Sequence, residues 1–417
     1  MNPETLDMQY LDENGNEVSK ESLSAGEKQL MIIAILWALA LCSKKKLPVI
    51  IDTPLSRLDS QHRTSIISRT HNHGETARLV VENARKQVAE LLGISPGEVF
   101  FTSGSTESNN IAIQGLMEYA EKTGKKHIIT TSIEHKAILE TVKALEKRGY
   151  DIELVDPERS GFVKPEDILS RVREDTLLVS VMHVNNETGI IQPVEHIGRA
   201  LSERKVLFHV DATQSCGKLI KEIRGLKYNM LSFSAHKLQG PQGIGVLVLR
   251  KDGYRLPPIK GIMYGGQQEH GIRPGTIPVA LVAGCGYACE IASLDYEHNK
   301  EKMDALKKLV LTIFDESGME YHFNGDQRHC MNSVVNICIP GVVSEALMIM
   351  SKQYCSISNG SACTSKNYSP SYVLKAMGIP EEEIECSVRI SWGPDTSENE
   401  LKENLVKLIE IAKQIKG

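Results

Sequence analysis

A lysine at the end of an apolar strand is the residue from which the chemistry of this sequence can be argued. Lys237 follows an apolar run at residues 230–233, and a turn rich in glycine and proline separates it from a second run at residues 244–249. The pattern predicts two strands, with the stem of Lys237 packed in a cleft wall and its amine directed inward. Desolvation lowers the pKa of such an amine and lets it form a Schiff base with a carbonyl group. For a lysine alone, the alternative of a solvated side chain before a turn would be preferred.

An acid at the end of the preceding predicted strand changes that preference. Residues 206–214 contain an apolar strand that ends at Asp211, and the stretch from there to Lys237 has room for a short helix and a return strand. A carboxylate beside a Schiff-base lysine is what pyridoxal 5′-phosphate (PLP) requires, because it keeps the ring nitrogen protonated and the ring then withdraws electrons. The alternative for Asp211 is a cap of the next helix. Together the two residues favour a PLP site.

Six motifs connect this pair to a family. In chain order they are TSGSTESNN from Thr102, HVNNETG from His183, HVDATQS from His209, SAHKLQGPQGIG from Ser234, RPGT from Arg273 and NGSACTS from Asn359. In this order they resemble the PLP-dependent cysteine desulfurases of the class V aminotransferase superfamily, from about Ser68 to the C-terminus. The resemblance implies an enzyme that takes sulfur from L-cysteine, leaves L-alanine, and passes the sulfur to an acceptor protein for iron–sulfur cluster, tRNA or DNA sulfur modification.

The resemblance also assigns roles to single residues. Lys237 would hold PLP and take the α-proton of the substrate, and His135 would lie over the ring and move a proton. Arg389, expected at the end of a strand, would bind the α-carboxylate with its guanidinium fork, with Asn186 beside it. The expected cofactor contacts are Ser105, Thr106, Asn186, Asp211, Gln214, Ser234, His236, Lys237 and Thr276. Thr276 would reach the phosphate of the neighbouring subunit, so the resemblance implies a homodimer.

A cysteine in a loop of small residues completes the predicted chemistry. Cys363 lies in the stretch SISNGSACTS at residues 356–365, which we expect to form a mobile and exposed loop. An exposed thiol in polar surroundings is a better nucleophile than a buried one. The alternative, an incidental exposed cysteine, is weakened by the similarity to the catalytic loop of the family, and a transaminase needs no thiol there.

The elements that must position these residues alternate between strands and helices. That alternation, with candidate ligands at strand ends, predicts an α/β fold with a mostly parallel, doubly wound sheet. The resemblance makes it PLP fold type I, with a seven-stranded-type sheet. We expect a large PLP-binding domain over residues 68–294, including one helix over residues 108–120, and a smaller α+β domain over residues 295–417.

Residues 1–67 do not belong to the desulfurase pattern. A capping box at Ser24 and Glu27 predicts a helix over residues 25–43, and residues 47–52 indicate a buried strand ending at Asp52. LSAGEKQ, this strand and SRLDSQHR resemble the C-terminal signature, Walker B and D-loop end of an ABC/SMC-type ATPase, as in DNA-phosphorothioation systems. The sequence contains no G-x-x-x-x-G-K-[ST] phosphate loop, so we expect a truncated fragment. A helix and strand that only pack on another element are the preferred alternative.

This segment stands where the family has an opening strand that lines the active site. The alternatives to an active desulfurase are therefore a catalytically impaired PLP-fold scaffold or fusion product, and an interaction module built on the ATPase-like piece.

Composition limits the remaining classes of function. The 417-residue chain has a net charge of −5 and is 41% hydrophobic, which excludes global disorder and argues against direct nucleic-acid binding. The apolar stretch at residues 30–42 is too short to span a bilayer, so no membrane partner is expected. Nine cysteines without a CxxC pair or zinc spacing favour free thiols in a reducing cytoplasm and no metal site.

Overall fold

The computed structural model describes residues 72–360 and 370–417. Two compact units, Met1–Val81 and Glu82–Gly417, divide the chain within the first described helix, α1 (Asn72–Leu92). The predicted helix, strand and ATPase-like motifs of residues 1–67 lie outside the described residues. Cys363 also lies outside them, so its predicted role stays a prediction.

The second unit is built on a seven-stranded sheet. Its strands are β1 (Val99–Thr102), β2 (His127–Thr131), β3 (Asp151–Val155), β4 (Thr176–Met182), β5 (Leu207–Asp211), β6 (Met230–Ser234) and β7 (Gly245–Leu249). The strand order is β1-β7-β6-β5-β4-β2-β3. All neighbours run parallel except at β7, which is antiparallel to both β1 and β6. The predicted mostly parallel α/β sheet is confirmed.

Helices cover this sheet, as the near-continuous burial of its central strands requires. They are α2 (Ser105–Gln114), α3 (Met117–Thr123), α4 (Lys136–Glu146), α5 (Pro165–Leu169), α6 (Val194–Arg204) and α7 (Ile220–Gly225). The expected single helix over residues 108–120 is wrong, because the chain breaks at Gly115 into α2 and α3. The backbone of Lys260 packs there: a Cβ on Gly115 would lie 2.7 Å from the Lys260 carbonyl oxygen, and the Lys260 N–H donates to the Gly115 carbonyl at 2.9 Å.

The C-terminal part mixes helices with a small antiparallel sheet. Two long helices, α8 (Val279–Leu294) and α9 (Tyr296–Glu316), precede β8 (His322–Phe323), β9 (Val334–Cys338) and β10 (Ser387–Ser391), which pair in the order β10-β9-β8. The remaining helices are α10 (Ser344–Ser351), α11 (Tyr372–Ala376), α12 (Glu381–Glu385) and α13 (Glu398–Lys416). One apolar core joins α9, α13 and this sheet through residues such as Phe314, Ile337 and Leu408. This is the predicted α+β composition, and the domain boundary at residues 294/295 stays a prediction.

The large sheet determines where chemistry can gather. Six of its strands, β1 to β6, point the same way and end at one edge. In the ladder, Asp211 pairs with Met182 on one side and Ser232 on the other. In open α/β sheets ligands bind outside the carboxyl ends of the strands. The site residues that the sequence motifs predict in this part of the chain follow these same strand ends.

Within the two described stretches, no helix combines the length and the apolar character needed to cross a membrane.

Candidate active site

Asp211 is the fixed anion at the carboxyl edge of the large sheet. It ends β5 and is only 4% exposed. Its Oδ2 accepts a hydrogen bond from Asn109 Nδ2 at 2.7 Å, while its Oδ1 accepts from the Thr213 N–H at 2.9 Å and the Thr213 hydroxyl at 2.5 Å. The contacts to Thr213 show that Asp211 also caps the turn after the strand. A buried carboxylate held on both oxygens is suited to face a cationic ring nitrogen.

Lys237 lies near the same edge but does not have the predicted environment. It belongs to a short 3₁₀ helix, Ala235–Leu238, that follows β6. Its side chain is exposed, so the expectation of a packed stem and a desolvated amine is wrong for this structure. The reason is local: the 3₁₀ turn buries Ala235 and Leu238 and directs His236 and Lys237 outward.

His135 connects the acid and the lysine electrostatically. Burial lowers the pKa of the His135 imidazole, the Asp211 carboxylate opposes this, and the Lys237 ammonium lowers the pKa further. His135 is also the N-cap of α4, where its Nδ1 accepts from the Ala137 N–H at 3.1 Å. In the neutral ring the proton is therefore on Nε2. One imidazole thus lies within electrostatic reach of both Asp211 and Lys237, as the sequence predicts for a shared site.

Glu134 is a buried carboxyl at this edge to which the sequence motifs assigned no role. Its Oε1 accepts from the Met182 N–H at 2.8 Å and from the Thr131 hydroxyl at 2.7 Å, so it joins the ends of β4 and β2. Burial raises the pKa of Glu134 to about 8 against these two hydrogen bonds, and the charge of Asp211 adds to the rise. The raised pKa favours the protonated form of the Glu134 carboxyl at pH 7.

The predicted phosphate end lies at the start of α2. The Ser105 N–H donates to Ser234 Oγ at 2.7 Å, and the Ser234 hydroxyl donates to Ser105 Oγ at 3.0 Å. This pair joins the end of β6 to the N-terminus of α2, whose dipole favours an anion. Thr106 and His236 are exposed next to it.

The loop that carries Thr276 contacts the same helix. Arg273 Nε lies 3.1 Å from Glu107 Oε1 in the first turn of α2. Burial acts to raise the pKa of Glu107, but hydrogen bonds from Ser103 and the charge of Arg273 together outweigh it. The pKa of Glu107 is therefore lowered, and the carboxylate stays ionised. Thr276 itself is exposed. Its predicted contact with a neighbouring subunit stays a prediction.

The predicted substrate residues meet from different parts of the chain. Arg389 Nη1 donates to the Asn186 main-chain carbonyl at 2.8 Å. Arg389 lies in the middle of β10, opposite Asn336, and not at a strand end as expected. The difference arises because pairing with β9 continues past Arg389 to Ser391, so the guanidinium leaves from the face of the strand. Gln214 is half-buried in the turn after β5.

Buried polar atoms without partners are concentrated at this edge. Among the described residues, nine buried side-chain polar atoms have no hydrogen-bond partner, and six belong to Asn109, Ser132, Glu134, His183, Asn186 and Glu187. These residues follow β1, β2 and β4. Buried polar groups are rarely left unpaired, because each one costs roughly 1–3 kcal/mol. A polar ligand at the edge is consistent with this concentration. An anion, an amine and several hydroxyls form a donor set that fits PLP.

A cavity of about 990 Å³ lies beside Lys237. Its lining includes Lys218, Lys237, Gln239, Arg328 and Trp392. Burial, together with the neighbouring charge of Lys237, lowers the pKa of Lys218 to about 8. Of the predicted site residues, Lys237 alone is part of this lining, and Lys218 is a second lysine in the same cavity wall that the sequence motifs did not identify.

Comparison with known proteins decides the family. The Aminotransferase class-V model matches residues 44–403. The cysteine desulfurase IscS of Pseudoalteromonas translucida is 42% identical over 335 residues, which are 80% of this chain and 82% of that protein. The chain belongs to the class-V aminotransferases and is a cysteine desulfurase.

Two solved structures agree with this assignment. A NifS-like protein is 34% identical with a TM-score of 0.76, and the match covers 86% of this chain and 97% of that one. SspA in complex with cysteine is 34% identical with a TM-score of 0.69, covering 81% and 93%. The predicted PLP fold type I architecture of the desulfurase is confirmed. The family match begins at residue 44, and so overlaps the segment to residue 67 that was compared with an ATPase.

Proposed function

We propose that this desulfurase binds PLP through Lys237 and transfers sulfur from L-cysteine to Cys363, leaving L-alanine. The observation that carries the proposal is the convergence of Asp211, His135 and Lys237 at one edge of the large sheet. A transaminase would also use such an edge, but the match to cysteine desulfurases and the thiol at position 363 favour sulfur transfer.

The residues that would hold PLP divide into three groups. Asp211 would face the ring nitrogen, His135 would lie over the ring, and Lys237 would carry the aldehyde carbon. Ser105, Thr106, Ser234 and His236, with the partner's copy of Thr276, would bind the phosphate, and Asn186 and Gln214 would face the phenolic oxygen. When bound, PLP supplies the electron sink that makes the α-carbon of an amino acid acidic.

The chain's own residues then perform binding, proton transfer and nucleophilic attack. Arg389 would bind the α-carboxylate of cysteine, and the Lys237 amine would take the α-proton. The Cys363 thiolate would attack the substrate sulfur: a new S–S bond forms, and the carbon–sulfur bond breaks with its electron pair left on carbon. Protonation of that carbon gives alanine. The balance is cysteine and a Cys363 thiol giving alanine and a Cys363 persulfide.

The wider setting follows from the same proposal. The desulfurase would act in the cytoplasm as a homodimer and would pass its persulfide sulfur to an acceptor protein for iron–sulfur cluster, tRNA or DNA sulfur modification. The ATPase-like resemblance of residues 1–67 is retained only as a proposal about the origin of that segment. Without a phosphate loop we expect no nucleotide binding by the chain.

Sulfide and alanine production from L-cysteine with a thiol reductant tests the proposal. Wild type is expected to form both products in equal amounts. Cys363→Ser is expected to retain PLP and to lose sulfide release. Lys237→Ala is expected to form neither sulfide nor alanine. Lys300→Ala, which removes an exposed lysine from the same cavity, is the matched control and should match wild type. A wild-type chain that takes up no PLP would instead support the scaffold, and binding of ATP would support the interaction module.

A further inference from the structure

The loop between β7 and α8 is fixed against the edge of the large sheet by one glutamate. Glu269 is 6% exposed, and its Oε2 accepts from the Phe101 N–H of the edge strand β1 at 2.7 Å. Its two carboxylate oxygens also accept from the Arg85 guanidinium of α1, at 2.7 and 3.0 Å. A two-point contact of this kind fixes both position and orientation. The loop is therefore anchored at residue 269 as well as at its ends.

The backbone at this anchor is held in an uncommon conformation. Glu269 and His270 have φ angles of 47° and 56°, in the left-handed region that residues other than glycine rarely adopt. The His270 ring packs edge-on against the Phe100 ring, with the ring centroids 6.0 Å apart. Such a conformation persists only where the surrounding contacts determine it. The anchor therefore imposes a defined path on the residues that follow it.

This path places Arg273 beside the first turn of α2. The Arg273 Nε donates to Glu107 Oε1 at 3.1 Å. The side chains of Arg273 and Glu107 are 22% and 13% exposed, so the ion pair is largely shielded from water. The Ser103 N–H donates to the other carboxylate oxygen of Glu107. Both oxygens of Glu107 are thus bound by groups outside α2.

Glu107 lies where a carboxylate works against the proposed function. It follows Thr106 directly in the first turn of α2, at the helix end that we propose to bind the PLP phosphate. The positive end of the helix dipole attracts either anion, so the carboxylate and the phosphate compete for it, and their negative charges repel. A cation must therefore offset Glu107 before a phosphate dianion can bind tightly. Among the described residues, Arg273 is the one cation within ion-pair distance of Glu107.

We propose that Arg273 is a positioning residue for the cofactor, because it neutralises Glu107 and so makes the N-terminus of α2 able to bind the phosphate. The inference rests on the proposed function and deepens it, since it names the residue that sets the affinity of one end of the site. Within the described part of the chain, Glu107 is the single carboxylate that pairs with Arg273. The effect of Arg273 should therefore depend on Glu107, and it should disappear with a ligand that has no phosphate.

Four variants separate the charge of Arg273 from its place in the loop. Arg273→Ala leaves Glu107 uncompensated, and Arg273→Lys keeps the positive charge. Glu107→Gln removes the repulsion, and the double variant Arg273→Ala/Glu107→Gln removes both charges. Arg159→Ala is the matched control, because it breaks another arginine–glutamate pair, in which Arg159 Nη2 lies 3.0 Å from Glu383 Oε2.

Each purified full-length chain is titrated with PLP and with pyridoxal, which has the same ring and aldehyde but no phosphate. Absorbance gives the two dissociation constants without any need for turnover. Arg273→Ala is expected to bind PLP roughly tenfold more weakly than wild type, because an uncompensated like charge at a partly buried site has an effect of about this size. Its affinity for pyridoxal should stay within about twofold of wild type. Arg273→Lys and Arg159→Ala should bind PLP within about threefold of wild type.

The glutamate variant should change the affinity in the opposite direction. Glu107→Gln should bind PLP at least as tightly as wild type, and it should restore the affinity when combined with Arg273→Ala. A charge effect requires this rescue, whereas a side chain that only holds the loop in place would not show it. Wild-type PLP affinity in Arg273→Ala, an equal loss for PLP and pyridoxal, or a double variant as weak as Arg273→Ala would overturn the inference.

The failure of the proposed function looks different. If wild type binds PLP no more tightly than pyridoxal, or binds neither, the proposed phosphate end of the site is wrong. Titration with inorganic phosphate, followed by phosphorus NMR, then decides the inference alone. Arg273→Ala must bind phosphate roughly tenfold more weakly than wild type. Equal affinities for phosphate would reject the role of Arg273.

Discussion

The two sheets of the second unit contribute to the site in different ways. In the large sheet the parallel strands end together, so the loops after β1, β2, β4, β5 and β6 bring acids, amides, hydroxyls and a lysine to one edge. In the small antiparallel sheet neighbouring strands end at opposite edges, and its contribution is Arg389, from the face of β10, and Asn336, from the face of β9. Parallel topology concentrates chemical groups, whereas the antiparallel sheet adds single contacts that position them.

Burial also differs between the carboxyl edge of the large sheet and the residues that meet it from elsewhere in the chain. Asp211 and Glu134 at the large edge are 4% and 0% exposed, and the pKa of Glu134 is raised to about 8. Arg389 is half-buried and Lys237 is exposed. The large edge therefore holds its acids out of water, and burial raises the pKa of Glu134, whereas the two residues proposed to bind the substrate and PLP remain accessible.

The largest effect expected in this comparison is at Asp211. Asp211→Asn keeps the shape of the side chain and its contact surface but removes the carboxylate that we propose to face the PLP ring. Loss of a preorganised charge at a reacting centre lowers kcat by about 10²–10³-fold. Steady-state alanine formation measures this, and the exposed Asp252→Asn is a control that should behave as wild type. An Asp211 variant with full turnover would show that the edge does not bind the cofactor through this residue.

A second effect concerns stability and pH. In the folded chain burial raises the pKa of Glu134 to about 8, whereas in the unfolded chain the pKa is near the ordinary value of 4.5. Between pH 4.5 and 8 the folded state binds one more proton than the unfolded state, so raising the pH lowers the free energy of unfolding of wild type. Glu134→Gln removes this term, and Gln can still accept from Met182 and Thr131.

We therefore expect the free energy of unfolding of Glu134→Gln, relative to wild type, to rise with pH between about 5 and 8. The increase is up to about 1.4 kcal/mol per pH unit, and it stops above pH 8. Urea unfolding at a series of pH values measures it, and Glu140→Gln on the exposed face of α4 is the control. Parallel curves for wild type and Glu134→Gln would mean that Glu134 is ionised in the folded state.

The smallest effect is expected on the small-sheet side of the comparison. Arg389→Lys keeps the positive charge but loses the planar fork and the donor to Asn186. Because a lysine cannot bind a carboxylate in two places, kcat/KM for cysteine should fall roughly tenfold, mainly through KM. Initial rates over a range of cysteine concentrations separate the two constants. A fall in kcat with an unchanged KM would instead indicate that the Arg389 guanidinium does not bind the carboxylate of cysteine.

Much of this arrangement could be predicted from the sequence where local patterns determine structure. Short apolar runs bounded by turns located β6 and β7, because the predicted runs at residues 230–233 and 244–249 coincide with Met230–Ser234 and Gly245–Leu249 within one residue. Asp211 ends β5, as the apolar pattern predicted, and Lys237 comes shortly after the end of β6. Motif order then predicted which loops meet, since parallel strands end at the same edge.

What could not be predicted depends on contacts between distant residues. The break at Gly115 exists because Lys260 packs there, and the exposure of Lys237 follows from a 3₁₀ turn that apolar periodicity does not reveal. Asn109 and Glu134 lie within or beside recognised motifs, but their partners become visible only once the strands are paired. Asn109 then holds Asp211, and Glu134 joins β2 to β4. The contact of Ser371 with Glu187 links positions 184 residues apart, which no local signal encodes.

The central claim is that Lys237 is the lysine that carries PLP, although Lys218 lines the same cavity with a pKa lowered to about 8. Borohydride reduction of the PLP-loaded desulfurase, followed by peptide mapping by mass spectrometry, tests it directly. We expect a phosphopyridoxyl group on Lys237 and none on Lys218. The label on Lys218, or on no lysine of a chain that has taken up PLP, would contradict it.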